Sequence, residues 1–162
     1  RAWKRRIWRP SEIPEKAPRR MGMQTMKIAL DTNVTIYFFE GVEPQASKVE
    51  KILGTMMKGA DEGIVSTITI AEVLTGFYIA EDTAKATKAK KLLKDLTLNS
   101  FKIVPVTFEI ADLAANLRAK RGGRLPDALI VATAINQSAS FMYTQDKDLQ
   151  RYNQDIKICE LQ

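Results

Sequence analysis

Four acidic side chains stand where a strand-like segment gives way to a helix or turn, or just inside such a helix. They are Asp31, Glu72, Asp127 and Asp146. In an open parallel sheet, the carboxyl ends of the strands share one edge, and ligands collect there. Four carboxylates brought together at that edge would repel one another strongly, so a divalent cation is the natural compensation. The pattern predicts an oxygen-ligand metal site that takes Mg²⁺ or Mn²⁺.

The composition excludes several other chemistries. The chain has no histidine and one cysteine, Cys159. Imidazole acid–base catalysis, Cys/His zinc sites, Cys–His nucleophilic pairs and an internal disulfide are therefore excluded. The 162 residues suffice for one domain with a real core. No stretch approaches the roughly 20 apolar residues that span a bilayer, so we expect no membrane association and a cytoplasmic location.

The excess positive charge lies in an N-terminal tail. Residues 1–20 carry eight basic and two acidic residues, whereas residues 21–162 carry equal numbers of each. The tail also contains Trp3 and Trp8 and lacks helical or strand periodicity. We predict that residues 1–25 form a basic, disordered extension and that residues 26–162 form the domain. Two interpretations stay open: an arm that pairs with phosphates and stacks on bases, or a non-native leader.

Strand-like and helix-like segments alternate from residue 26 onward. This alternation predicts an α/β fold, with three α/β/α layers and a mostly parallel sheet of about five strands. We predict strands at 26–30, 64–66, 102–106, 141–144 and 156–159. We predict helices at 33–39, 44–59, 69–80, 83–97, 108–121 and 128–135. The pair Glu62-Gly63 is interpreted as a break before the second strand, and Pro105 predicts that the third strand is an edge strand or ends early.

Basic residues form two further candidate features. Three arginines precede the third acid and could hold substrate phosphates near the cleft: Arg118, Arg121 and Arg124. They could equally, with Lys120, be the solvated end of a helix whose dipole favours cations. Five lysines in the segment 83–97 are interpreted as a solvated helix face: Lys85, Lys88, Lys90, Lys91 and Lys94.

Four segments resemble the motifs of the PIN domain, in the style of VapC-type toxin nucleases. They are Asp31-Thr32-Asn33, Ser66 to Val73, Leu125 to Ala134 and Thr144 to Leu149. Their order and spacing match the family, and the resemblance covers about residues 26–160. It implies a PIN-like nuclease domain and a Mg²⁺- or Mn²⁺-dependent endoribonuclease, the toxin of a toxin–antitoxin pair. The family also implies 5′-phosphate products, a homodimer and an antitoxin partner.

The resemblance assigns residues by position. The four acids match the family's acidic cluster in chain order: Asp31, Glu72, Asp127 and the more variable Asp146. Asn33 and Thr144 match polar companions that hold the site or its bound water, whereas Asp148 lies beyond the usual fourth acid. Such a cluster suits hydrolysis by metal-activated water, which requires no protein nucleophile.

Alternative interpretations stay open. Asp31 could cap a helix, and Asp127 could occupy a helix first turn where the dipole favours a carboxylate. The competing functions are a non-cleaving PIN-like module that binds RNA or a partner, and a Mg²⁺-dependent aspartyl phosphotransfer protein. The phosphatase form of the latter needs an aspartate where this chain has Asn33. A further possibility is an antitoxin-bound structural module whose basic tail is the working part.

Overall fold

A parallel five-stranded sheet forms the centre of the computed structural model, which describes residues 24–98 and 101–162. The strands are β1 (Lys27–Leu30), β2 (Glu62–Ser66), β3 (Phe101–Val104), β4 (Phe141–Tyr143) and β5 (Ile158–Cys159). Their spatial order is β3-β2-β1-β4-β5, and every neighbouring pair is parallel. The predicted fold class is confirmed. The predicted N-terminal extension lies outside the described residues, except for positions 24 and 25.

Within residues 24–98 and 101–162, six α-helices connect the strands. They are α1 (Thr32–Glu40), α2 (Gln45–Met57), α3 (Thr67–Ile79), α4 (Thr83–Thr97), α5 (Phe108–Arg121) and α6 (Leu125–Asn136). A 3-10 helix at Lys147–Tyr152, which the sequence analysis did not predict, joins β4 to β5. Helix α4 buries alanines and leucines, and four of its five lysines are exposed, with Lys85 half-buried. In the ranges described, none of the helices combines the length and apolarity that a membrane crossing requires.

Successive side chains of the central strands point to opposite faces of the sheet, and this alternation produces the three layers. Ala29 and Ile64 pack in one buried cluster with α5, α6 and the 3-10 helix. Their neighbours Ile28 and Val65 point the opposite way and pack with α1 and α2. A third cluster joins α3 to α4. The sheet is therefore covered on both faces, as parallel sheets require, and its carboxyl edge remains for ligands.

Strand β2 begins earlier than predicted, at Glu62 instead of Ile64. The interpretation of Glu62-Gly63 as a break was wrong, because Gly63 pairs with both Ile28 and Phe101 in the sheet. A Cβ atom at position 63 would lie against the Phe101 ring and 2.6 Å from Met56 Sδ. Glycine is needed here for close packing rather than for a turn.

The strand order also locates the main crevice of the sheet. The chain runs from β1 outward through β2 to β3, then returns to the other side of β1 for β4 and β5. Strand β3 is an edge strand that ends directly before Pro105, as predicted. The connections leaving β1 and β4 therefore diverge to opposite sides, and such a switch point opens a crevice at the carboxyl ends of the two strands.

Substituting Gly63 tests the packing of β2. We expect Gly63→Ala to lower the free energy of unfolding by about 1–3 kcal/mol, because the added methyl group overpacks the Phe101 and Met56 side chains. The matched control is Gly54→Ala within α2, where an added Cβ meets nothing within 4 Å. This control should be neutral or gain up to about 1 kcal/mol of helix propensity. Equal urea midpoints for the two variants would contradict the packing argument.

Candidate active site

The first acid, Asp31, directly follows β1 and caps α1. Its backbone N–H donates to the Tyr143 carbonyl at 3.1 Å, which extends the hydrogen-bonding between β1 and β4 by one residue. Its carboxylate accepts from the Thr32 backbone N–H at 2.7 Å and from the Thr144 hydroxyl at 2.7 Å. The capping role considered from sequence is therefore real. It uses only one of the two oxygens, and the second faces the end of β4.

Burial makes the Asp31 carboxylate electrostatically costly. The residue is 4% exposed, and both of its hydrogen-bond donors are neutral groups. Desolvation raises the pKa of Asp31 to about 6, with smaller upward contributions from the charges of Asp127 and Asp146. The hydrogen bonds from Thr144 and Thr32 oppose this rise. A cation beside Asp31 would relieve both the desolvation and the repulsion.

The third acid, Asp127, lies in the first turn of α6 behind Pro126. Its two carboxylate oxygens accept from one guanidinium, with Arg124 Nε 3.0 Å from Oδ2 and Arg124 Nη2 3.2 Å from Oδ1. This contact, more than any other, raises the pKa of the Arg124 guanidinium above its ordinary value. Arg124 is the residue before the helix and makes no capping bond with its side chain.

The fourth acid, Asp146, begins the 3-10 helix after β4. One of its oxygens, Oδ1, accepts from the Asp148 backbone N–H at 2.9 Å, and the other, Oδ2, lies 3.9 Å from Arg124 Nη2. Asp148 itself is different: its side chain is 74% exposed and reaches Arg151 at 3.8 Å. The guanidinium of Arg124 thus contacts two of the four acids.

The second acid, Glu72, comes from the middle of α3. Its Oε2 accepts a hydrogen bond from the hydroxyl of Thr32, which also lies 3.4 Å from the Thr69 hydroxyl. Thr32 was not among the predicted site residues. The available signal was its position between Asp31 and Asn33, at the first residue of a helix whose amino end faces the crevice.

The two predicted polar companions join the segments that follow β1 and β4. The Thr144 hydroxyl donates to Asp31 and accepts from the Asp146 backbone N–H at 2.9 Å. The Asn33 side-chain oxygen accepts from the Gln145 backbone N–H at 3.3 Å. Because Thr144 is fully buried, its single hydroxyl fixes the separation between the first and fourth acids.

All four predicted acids line one cleft of about 460 Å³, together with Asn33 and Arg124. Arg118 and Arg121 are not among the lining residues. Arg118 Nε donates to the Gly123 carbonyl at 3.1 Å, and Arg121 pairs with Asp155 at 3.0 Å. Both arginines therefore hold the end of α5 and the turn that follows it.

The donor set suits a hard divalent cation. The charged metal ligands that the cleft offers are carboxylates, and the neutral ones are hydroxyl and amide oxygens. Mg²⁺ and Mn²⁺ prefer such oxygen ligands. Within residues 24–98 and 101–162, no three His, Cys, Asp or Glu side chains are already grouped as ligands of one ion. In this arrangement Arg124 donates to both oxygens of Asp127.

The sequence from residue 28 to residue 154 matches the family model of the PIN domain. The match spans well over half of the chain, which therefore belongs to the PIN domain family. Comparison with curated protein sequences gives no significant match.

Solved structures share this fold. A chain of VapBC2 from Rickettsia felis, bound to a DNA fragment from their promoter, has a TM-score of 0.65 at 17% identity and covers 85% of this chain and 100% of that one. VapBC-1 from nontypeable Haemophilus influenzae has a TM-score of 0.64 at 22% identity, covering 84% and 98%. Mycobacterium tuberculosis VapC20, a sarcin-ricin loop cleaving toxin, has a TM-score of 0.60 at 15% identity, covering 76% and 92%. At these identities the likeness shows the fold, which is that of VapC-type toxins.

The buried charge of Asp31 predicts an unusual dependence of stability on pH. The folded-state pKa of about 6 lies above the ordinary aspartate pKa of 3.8, so the folded state binds this proton more tightly. The contribution of Asp31 to the free energy of unfolding should fall by up to about 3 kcal/mol as pH rises from about 4 to above 6. In Asp31→Asn this contribution is absent. The stability of the variant relative to the wild type should therefore rise between pH 4 and pH 7, measured by urea unfolding in EDTA.

The control for this pH series is Asp148→Asn, which removes an exposed carboxylate two residues from the fourth acid. We expect its unfolding free energy to follow that of the wild type across the pH range. Parallel pH profiles for Asp31→Asn and the wild type would contradict a buried, desolvated charge at position 31.

The Thr144 hydroxyl should stabilise the folded protein. Thr144→Val leaves the Asp31 oxygen and the Asp146 N–H without this partner, and we expect a loss of about 1–3 kcal/mol in unfolding free energy. Thr144→Ser keeps the hydroxyl and should recover most of that loss. Chemical denaturation in EDTA measures both, and a larger loss for Thr144→Ser than for Thr144→Val would show that the methyl group, not the hydroxyl, matters.

Proposed function

We propose that this protein is a metal-dependent endoribonuclease and the toxin of a toxin–antitoxin pair. The observation that carries the proposal is the convergence of four acids from four separate segments on one cleft: Asp31, Glu72, Asp127 and Asp146. The cleft lies at the carboxyl edge of a PIN-domain sheet, beside the switch point between β1 and β4. A cluster of this kind, with no histidine or thiolate in the cleft, suits hydrolysis assisted by Mg²⁺ or Mn²⁺.

The acids divide into ligands and a water-positioning group. Asp31 and Asp127 are the principal ligands, and Asp146 contributes directly or through water. When bound, the ion supplies an activated water and neutralises charge on the phosphoryl oxygens in the transition state. Thr144 holds the first and fourth acids at a fixed separation.

Glu72 is the water-positioning group. The Thr32 hydroxyl fixes its Oε2 atom, and we assign to the other carboxylate oxygen the task of orienting the attacking water or holding a second ion. Among the three arginines predicted to bind substrate, Arg124 is the one that lines the cleft, and we assign it the substrate contact.

The proposal includes two protein partners, an antitoxin and a second copy of the chain. Similar folds occur in VapBC-1 of Haemophilus influenzae and in a toxin–antitoxin complex from Klebsiella pneumoniae. Exposed apolar side chains at the end of α3, Tyr78 and Ile79, support a surface that another chain covers. An RNA substrate and a protein inhibitor imply action in the cytoplasm.

One observation favours the alternative of a non-cleaving PIN-like binding module. Arg124 pairs with both oxygens of Asp127, and the described acids do not form a ready ligand group. The family match gives no support to the aspartyl phosphotransfer alternative.

RNA cleavage distinguishes the nuclease from the binding module. We expect purified protein to cut labelled total RNA in Mg²⁺ or Mn²⁺ but not in EDTA, leaving 5′-phosphate ends. Asp31→Asn and Asp127→Asn should each reduce the rate at least about 100-fold, because each removes a charge that holds the ion. Asp148→Asn, with its exposed carboxylate outside the cleft, should retain the wild-type rate.

The controls separate a true loss of activity from contamination or misfolding. Cleavage that persists in EDTA or in both acid variants would identify a contaminating nuclease. Absence of cleavage by wild-type protein that binds Mn²⁺ and RNA would favour the binding module. Unfolding curves for every variant exclude loss of the fold as the cause.

A further inference from the structure

The guanidinium of Arg124 occupies the position where two of the proposed metal ligands meet. It binds both oxygens of Asp127, at 3.0 and 3.2 Å, and its Nη2 lies 3.9 Å from Asp146 Oδ2. The two N–H groups of the guanidinium point at the two carboxylate oxygens, one at each. An ion that approaches the carboxylate from the side of the guanidinium therefore finds both oxygens already in use. Arg124 and a divalent cation therefore compete for Asp127.

The two members of this ion pair differ in their exposure. The Asp127 side chain is 10% exposed, whereas that of Arg124 is 70% exposed. A carboxylate at this depth stays in place, but a long side chain on the surface can leave its partner and enter water. Ion pairs with one such exposed member are weak, so the contact can be exchanged.

The backbone before Arg124 is held tightly, which confines any motion to the side chain. Gly122 and Gly123 have positive φ values of 71° and 91°, and a Cβ at position 123 would lie 2.8 Å from the Tyr152 hydroxyl oxygen. The Tyr152 hydroxyl donates to the Gly122 carbonyl at 2.9 Å, and Arg118 Nε donates to the Gly123 carbonyl at 3.1 Å. The turn therefore fixes the backbone position of Arg124 at the rim of the cleft.

We propose that Arg124 is the exchangeable cation of this site. Its guanidinium neutralises Asp127 and Asp146 until a divalent ion takes those carboxylates, and the released guanidinium then binds a phosphate of the RNA. This inference rests on the proposed nuclease function and assigns Arg124 a defined role in it. The exchange keeps the acidic cluster partly neutralised in both states and couples ion binding to substrate binding.

The exchange predicts opposite effects of one substitution on two ligands. Arg124→Gln removes the competitor, so we expect Mn²⁺, measured by calorimetry and by electron paramagnetic resonance, to bind about tenfold more tightly. In saturating Mg²⁺ the same variant should bind single-stranded RNA more weakly, by about tenfold, because a phosphate contact is lost. Arg124→Lys keeps the charge but loses the fork, and its Mn²⁺ affinity should lie between those of the wild type and Arg124→Gln.

The matched control is Arg121→Gln, which removes one positive charge from the end of α5, three residues before Arg124 and outside the cleft. Its Mn²⁺ affinity should stay within about twofold of the wild type, since the Arg121 charge is paired with Asp155 and does not line the cleft. RNA binding is measured on protein that keeps all four acids, with a hydrolysis-resistant phosphorothioate RNA, so that every proposed metal ligand is present during the assay.

The outcomes separate this inference from the proposed function. Equal Mn²⁺ affinities for Arg124→Gln and Arg121→Gln would overturn the exchange, even if the wild type cuts RNA. Tighter Mn²⁺ binding with unchanged RNA affinity would overturn the phosphate contact. Tighter Mn²⁺ binding and weaker RNA binding by a protein that cuts no RNA would support the exchange and count against the nuclease. A wild-type protein that binds no Mn²⁺ would overturn both.

Discussion

The buried carboxylate of Asp31 is the constraint on which the rest of the site depends. It lies at the end of the central strand β1, almost fully removed from water, with two neutral hydrogen-bond donors. Leaving a charge in such a position costs stability, and the raised pKa expresses that cost. The fold keeps the residue there because β1 is flanked on both sides by parallel strands. A purely structural helix cap would be served as well by an exposed aspartate or a serine.

The neighbouring acids are held by backbone geometry and by single hydroxyl groups. Thr144 joins Asp31 to the segment after β4, and Thr32 joins α1 to Glu72 on α3. Each bridge crosses between elements that are distant in the sequence but adjacent at the carboxyl edge of the sheet. Rigid support of this kind fixes the directions of charged groups before any ligand arrives, which is the condition for electrostatic catalysis.

The sequence predicted the convergence of the four acids at one edge of the sheet better than it predicted the local contacts. Asp31 and Asp146 could be placed because each follows an apolar strand, and Asp127 because it follows Pro126 at a helix start. The early start of β2 could not be predicted, because a glycine that makes room for the Phe101 ring resembles a glycine that makes a turn. The 3-10 helix was missed for a similar reason, since it depends on burial of Leu149 and Tyr152 against distant helices.

The sequence could not show which of the three arginines contacts the acids. Arg118, Arg121 and Arg124 are equivalent by composition and by position before the third acid, and only tertiary structure separates them. Two are bound to the turn and to Asp155, while the third reaches across the start of α6 to the acids. The separation follows from the Gly122-Gly123 turn, whose positive φ values reverse the chain between α5 and α6. A cluster of acids at the carboxyl edge requires cations in some form, and this turn places one within reach of two of them.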